Sequence, residues 1–144
     1  MKNRNLEHKD DWATPDWLLV EIYNEFGKFF DPCPLNNDIN KWDGLKEDWN
    51  NVNFINPPYS RTLKELFIEK AYSEWKKGKT CIMLLPVSTS TKVFHTFIYK
   101  KAEIRFFKRR IKFKGYNTKG EYVNNKAPMH DSMLVIFRGG LWKR

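Results

Sequence analysis

Val52-Asn53-Phe54-Ile55 has strand character, and Asn56-Pro57-Pro58-Tyr59 follows it at once. No feature restricts the folding of this chain more. Two successive prolines remove two backbone donors and lock φ, so a strand that reaches Ile55 must leave its sheet at Asn56. The strand therefore delivers a polar side chain, two rigid residues and an aromatic ring. A plain diproline turn is the bland reading. The chemical reading is that the Asn56 side-chain oxygen and the Pro57 carbonyl both accept from one NH2 group. Holding both protons makes that nitrogen more tetrahedral and frees its lone pair for attack. Tyr59 can stack on a base swung out of a duplex, which chemistry on a base edge requires.

The remaining pattern alternates helix and strand signals and then turns to strands. Thr14-Pro15-Asp16 reads as a helix start with Thr14 as cap, followed by Leu18, Leu19, Ile22, Tyr23 and Phe26 at helical spacing and a stop at Gly27. Lys28 to Asp31 is a short strand candidate, and residues 33–50 are loop-like. Thr62 to Glu65 reads as a capping box opening a helix along Leu63, Phe67, Ala71 and Trp75, closed by Gly78. The apolar run Cys81 to Leu85, ended by Pro86, suits a strand buried on both faces. Val93, Phe94, Phe97 and Ile98 mark another amphipathic helix. Ile104 to Phe107, Ile111 to Phe113 and Met133 to Phe137 are strand-like. The expected fold is a compact α/β domain over residues 12–144, with a trimmed, mostly parallel sheet and an antiparallel hairpin at its C-terminal edge. Residues 1–11 are charged and aperiodic and read as a flexible arm.

Charge narrows the partners. The 144 residues carry a formal net charge of +9, and a small basic domain attracts polyanions by counterion release. The 16% of aromatic residues serve both core filling and base stacking. Cys33 and Cys81 have no metal-ligand spacing, and three scattered histidines do not complete a zinc site, so no metal is expected. The N-terminus has no secretory pattern and the apolar runs are too short to span a bilayer, which points to the cytoplasm and no membrane partner.

In their order, these segments resemble the small phage-type, Dam-like DNA adenine-N6 methyltransferases. The resemblance runs through Trp12-Ala13-Thr14-Pro15, Phe30-Asp31-Pro32-Cys33-Pro34, Asp43-Gly44-Leu45 with Trp49, Phe54 to Tyr59, Leu84-Leu85-Pro86, and Ile104 to Phe107 with Arg110 to Phe113. It implies a Rossmann-like fold, S-adenosylmethionine as methyl donor, double-stranded DNA with a flipped target base as substrate, and a bacterial host cell. Asn56, Pro57 and Tyr59 would then be catalytic. Trp12, Thr14 and Pro15 would wrap the cofactor together with Asp31, Pro32 and Asn56. Asp43 or Asp48 would bind the ribose hydroxyls, with Asp43 preferred. The sequence departs from the wider superfamily at Pro34-Leu35-Asn36-Asn37-Asp38, where a glycine-rich cofactor loop is usual.

Other groups have weaker claims. Lys108, Arg109, Arg110, Lys112 and Lys114 alternate with Phe106, Phe107, Ile111 and Phe113, so as strands they would set a cationic face for DNA phosphates against an apolar one. The loop from Gly115 to Pro128 carries Tyr116, Asn117, Asn124, Asn125 and Lys126, and amides read adenine edges well. Cys33 beside Pro32 is read as a packed thiol, because amine methylation needs no covalent enzyme intermediate. His95 and the pair His130-Asp131 read as structural. Cytosine N4, RNA or a protein glutamine stay open as substrates, as does a DNA-binding protein that has lost its cofactor.

Overall fold

The computed structural model describes residues 12–35, 37–116, 121–126 and 130–140; the expected N-terminal arm, Asn36 and Asn117 lie outside them. The fold is organised by the most apolar runs. β1 (Val52–Ile55) pairs in parallel with β2 (Thr80–Pro86), placing Ile55 beside Met83. Between them the chain forms helix α2 (Arg61–Lys76), which completes one β-α-β unit. With β3 (Glu103–Phe106) and β6 (Ser132–Phe137), the sheet order is β1-β2-β6-β3. β6 runs antiparallel to both of its neighbours. Phe30 adds one parallel bridge outside β1, exchanging 2.9 Å hydrogen bonds with Val52 and Phe54, in place of the expected strand over Lys28 to Asp31.

The sheet is thus mixed, and the expectation of a mostly parallel sheet is corrected. The reason lies in burial. All six residues of β6 are buried, whereas β3 is exposed at both ends. A strand with no polar face is stable only with neighbours on both sides and cover on both faces, so β6 inserts into the middle and β3 takes the edge. The C-terminal hairpin also differs from expectation. β4 (Phe113–Tyr116) and β5 (Tyr122–Lys126) pair antiparallel as a separate two-stranded sheet, not as an extension of the main one.

Alternate residues of the central strands feed two cores. Ile55, Cys81, Met83, Leu85, Met133, Val135 and Phe137 pack against Phe67, Ile68, Ala71 and Trp75 of α2 and against the π-turn Phe94–Ile98. On the opposite face Phe54, Ile82, Leu84, Leu134 and Ile136 meet Leu18 and Ile22 of α1 (Asp16–Phe26), together with Trp12, Ile111 and Phe113. The apolar run in β2 is the signature of this double cover. α1 is fastened to the edge strand by ions: Arg105 donates to both oxygens of Glu25 at 2.6 and 2.7 Å, and Arg138, just after β6, bridges Glu25 at 3.8 Å and Glu103 at 3.0 Å. Among the described residues, no helix is long and apolar enough to cross a membrane.

Several local expectations shift. α1 is entered through Pro15 at the cap position with no side-chain cap, so Thr14 does not serve the helix. α2 likewise starts at Arg61 after an uncapped Ser60, which leaves Thr62 inside the first turn and dissolves the capping box. Gly27, at φ 84°, does end α1. Residues 107–112 form no strand; Ile111 and Phe113 are buried while Phe106 is 67% exposed, so the apolar face is only partly realised.

Candidate active site

Parallel pairing brings two chain ends to one rim. Phe30 lies beside Asn53, so Asp31 and Pro32 run alongside the end of β1 towards Asn56. In open α/β sheets, ligands sit at the carboxyl ends of such parallel strands. Asp31 is exposed and its Oδ1 accepts from the Cys33 amide at 2.8 Å, a local turn that lets the chain leave the rim. Pro32 is buried, and its carbonyl faces Gly44 so closely that a Cβ at Gly44 would lie 1.8 Å from the Pro32 oxygen. Only glycine permits this approach. It docks the Asp43 turn, in which Asp43 Oδ1 accepts from the Leu45 amide at 3.0 Å, onto the same rim. Asp48 sits elsewhere: it is paired with Lys77 at 3.3 Å, beside the amino ends of β1 and β2.

Asn56 is held from the other side. Its Nδ2 donates to the Trp12 carbonyl at 2.8 Å and to the Thr14 hydroxyl at 3.1 Å. The carbonyl can only accept, which fixes the amide orientation. Both amide protons are thereby used, and Oδ1 has no donor among the described residues. The segment that holds Asn56 is itself anchored. Ala13 pairs with Lys114 of β4 through hydrogen bonds of 2.6 and 3.1 Å. The Trp12 ring is buried on Gly115, where a Cβ would come within 2.7 Å of it. Trp12 and Thr14 thus contact Asn56 directly, and Pro15 accepts from the Leu18 and Leu19 amides at the start of α1.

Pro57 and Pro58 are buried, and Tyr59 is partly buried with its ring edge-on to Phe113 at 6.0 Å. Burial pushes the Tyr59 hydroxyl well above the ordinary tyrosine range, so it remains protonated. Between Pro32, Cys33 and Pro34 on one side and Pro58 and Phe67 on the other lies a crevice of only about 10 Å³, room for one water. Cys81 is buried within the sheet and its thiol is pushed up to about 12.

The cationic residues divide. Lys108, Arg109 and Lys112 are exposed. Arg110 instead pairs with Asp131 at 3.2 Å, and Lys114 with Asp16 at 2.7 Å. The chain positions of Tyr116, Asn124, Asn125 and Lys126 fall in the hairpin strands, but their side chains lie outside the described residues. Composition alone did not single out a basic cleft, of about 450 Å³, at the carboxyl end of β2, lined by Arg61, Lys64, Ser88, Ser90, Thr91 and Lys92 among others. Burial lowers the Lys64 ammonium below its ordinary range. His95 Nε2 donates to the Thr89 carbonyl, 2.7 Å away on the surface. No group of three or more potential metal ligands occurs among the described residues.

No curated protein matches this chain at a significant level. A rim where a tethered Asn-Pro-Pro-Tyr element meets two acidic turns is, however, accompanied by a family-wide match. The profile of the DNA N-6-adenine-methyltransferase (Dam) family covers residues 2–143, and the chain belongs to that family.

Proposed function

We propose that the protein transfers a methyl group from S-adenosylmethionine to the N6 amino group of adenine in double-stranded DNA, with the target base flipped out. The observation that carries this reading is the tethering of Asn56. With both Nδ2 protons committed to Trp12 and Thr14, Oδ1 is presented as a fixed acceptor at the strand end. The Pro57 carbonyl, which accepts no backbone hydrogen bond among the described residues, is the second acceptor. Two such acceptors hold both amine protons and turn the nitrogen lone pair outward. Preorganised acceptors act without reorganisation during the reaction. Tyr59, braced edge-on by Phe113, offers a ring for the extruded base.

When bound, S-adenosylmethionine supplies an already electrophilic methyl group. Asp31 would hold its ammonium group and Asp43 its ribose hydroxyls, and both carboxylates belong to turns on the rim beside Asn56. Asp48, paired with Lys77 at the opposite end of the sheet, is left out of this assignment. Catalysis then rests chiefly on positioning two reactants, with the amine proton leaving to solvent after transfer. The basic cleft at the end of β2 and the exposed Lys108, Arg109 and Lys112 suit DNA phosphates.

Methyl transfer to unmethylated DNA, followed by nucleoside mass spectrometry, tests the reading. N6-methyladenine is expected; N4-methylcytosine alone would overturn the adenine assignment. Asn56→Ala should lower kcat by about 10²- to 10³-fold or more and leave cofactor affinity essentially unchanged by calorimetry. Equal loss of both would reassign Asn56 to cofactor binding.

A further inference from the structure

A cleft of about 440 Å³ lies apart from the Asn56 rim, on the face covered by α1, between Trp17, Phe107 and the basic run Lys108 to Lys112. This volume falls in the range of roughly 300–1,000 Å³ in which small ligands are held. Trp17 is 50% exposed, and its indole meets the Phe107 ring at 6.3 Å in an edge-to-face contact that fixes the indole plane. The exposed half of the ring stands at the mouth of the cleft, where it offers a stacking platform.

The charged residues that line the cleft are all cationic. Lys108, Arg109 and Lys112 are exposed along the cleft. Of the neighbouring acids, Asp16 pairs with Lys114 at 2.7 Å and Asp131 with Arg110 at 3.2 Å, while Glu21 lies one helical turn beyond Trp17. Those two ion pairs tie Arg110 to the residue before β6 and Lys114 to α1, on either side of Lys112.

The cleft is also near the proposed methylation pocket. Thr14 touches Asn56 at 3.1 Å, and Trp17 is three residues further along. Three residues reach at most about 11 Å, a length comparable with one or two nucleotide steps. Side chains in the first turn of a helix lean towards its N-terminus, which tilts Trp17 towards Thr14.

We propose that this cleft is a second nucleobase site, which takes an unstacked DNA nucleotide beside the methylation pocket, stacks its base on Trp17 and holds its phosphates with Lys108, Arg109 and Lys112. The assignment rests on the DNA-methyltransferase reading for its choice of DNA. Aromatic stacking combined with backbone neutralisation is how sequence-tolerant single-strand sites work.

The test is equilibrium binding of fluorescein-labelled d(T)8, which contains no adenine, to the full chain by anisotropy, without cofactor. Trp17→Ala should weaken binding about five- to a hundredfold, and Trp17→Phe should retain most of it. Lys108→Ala/Arg109→Ala/Lys112→Ala should reduce the salt slope of log Kd by about 2, from roughly 0.7 per phosphate on a single strand. Unchanged d(T)8 affinity in Trp17→Ala would overturn the proposal, as would tighter binding of r(U)8 than of d(T)8. If methyl transfer to DNA persists in that case, only the second site fails. If no methyl transfer occurs with wild type while the Trp17 dependence holds, the methyltransferase reading fails alone.

Discussion

At the scale of single residues, two contacts decide the geometry of the rim. Asn56 is aimed by partners more than forty positions earlier in the chain, and Gly44 is compressed onto Pro32. Neither relation can be seen from the residue's own neighbours in sequence. Asn56 stood out because two prolines follow it. Gly44 looked like an ordinary turn glycine, and its necessity comes from a carbonyl twelve positions away. Gly44→Ala should therefore cost more than a normal Gly→Ala exchange. With a Cβ 1.8 Å from the Pro32 oxygen, backbone must move, and a loss of roughly 1–3 kcal/mol is expected. Urea denaturation measures this. Because the displaced segment carries Asp31 and Asp43, cofactor affinity should fall as well. A variant of wild-type stability and affinity would show that the turn accommodates the methyl group elsewhere.

At the scale of elements, the loop before β1 is held on α2 by a buried carboxylate. Glu74 is 0% exposed, accepts from the Trp49 amide at 2.8 Å, and binds Lys77 at 2.8 Å, Lys79 at 2.6 Å and Lys70 at 3.4 Å. Burial opposes its charge, but the hydrogen bonds from Lys77, Lys79 and Trp49 outweigh that cost and hold the carboxyl at about 2. Its ordinary value is 4.5, so the folded state binds the proton more weakly than the unfolded chain. The stabilisation is complete above about 4.5 and is lost as pH falls towards 2. Urea titrations between these values should show wild-type stability falling with acid, and Glu74→Gln should flatten that fall while costing roughly 2–4 kcal/mol at neutral pH. An unchanged pH dependence would assign acid sensitivity to other carboxylates. From sequence, Glu74 was a polar position on a helix beside the apolar Ala71 and Trp75. Its burial depends on a loop folding back twenty-five residues, which helical periodicity does not record.

At the scale of the molecule, charge and topology meet. The net charge is +9, and Lys108, Arg109 and Lys112 remain exposed after Arg110 and Lys114 find acidic partners. Duplex DNA binding should accordingly be salt-dependent, with a log–log slope of about 3 or steeper at roughly 0.9 per phosphate. Titrations at several sodium chloride concentrations measure it. A slope near zero would mean that the excess charge does not face DNA, while S-adenosylmethionine affinity should vary little over the same range.

The sequence by itself determined the local events. A strand had to end at Asn56 because proline cannot continue one, and Cys81 to Leu85 had to be covered on both faces because the run contains no polar side. The chemistry of the tetrapeptide was legible for the same reason: its backbone and side-chain groups are fixed by covalent structure. Only the tertiary structure decided which strands became neighbours. β6 displaced the expected parallel arrangement because complete burial requires an interior position, and that is a comparison among strands, not a property of one. It also drew Thr14 from helix capping to Asn56, and separated Asp43 from Asp48 across the length of the sheet. Hydrogen-bond donors and charges take the best partner that folding brings within reach, and that partner is set by long-range packing.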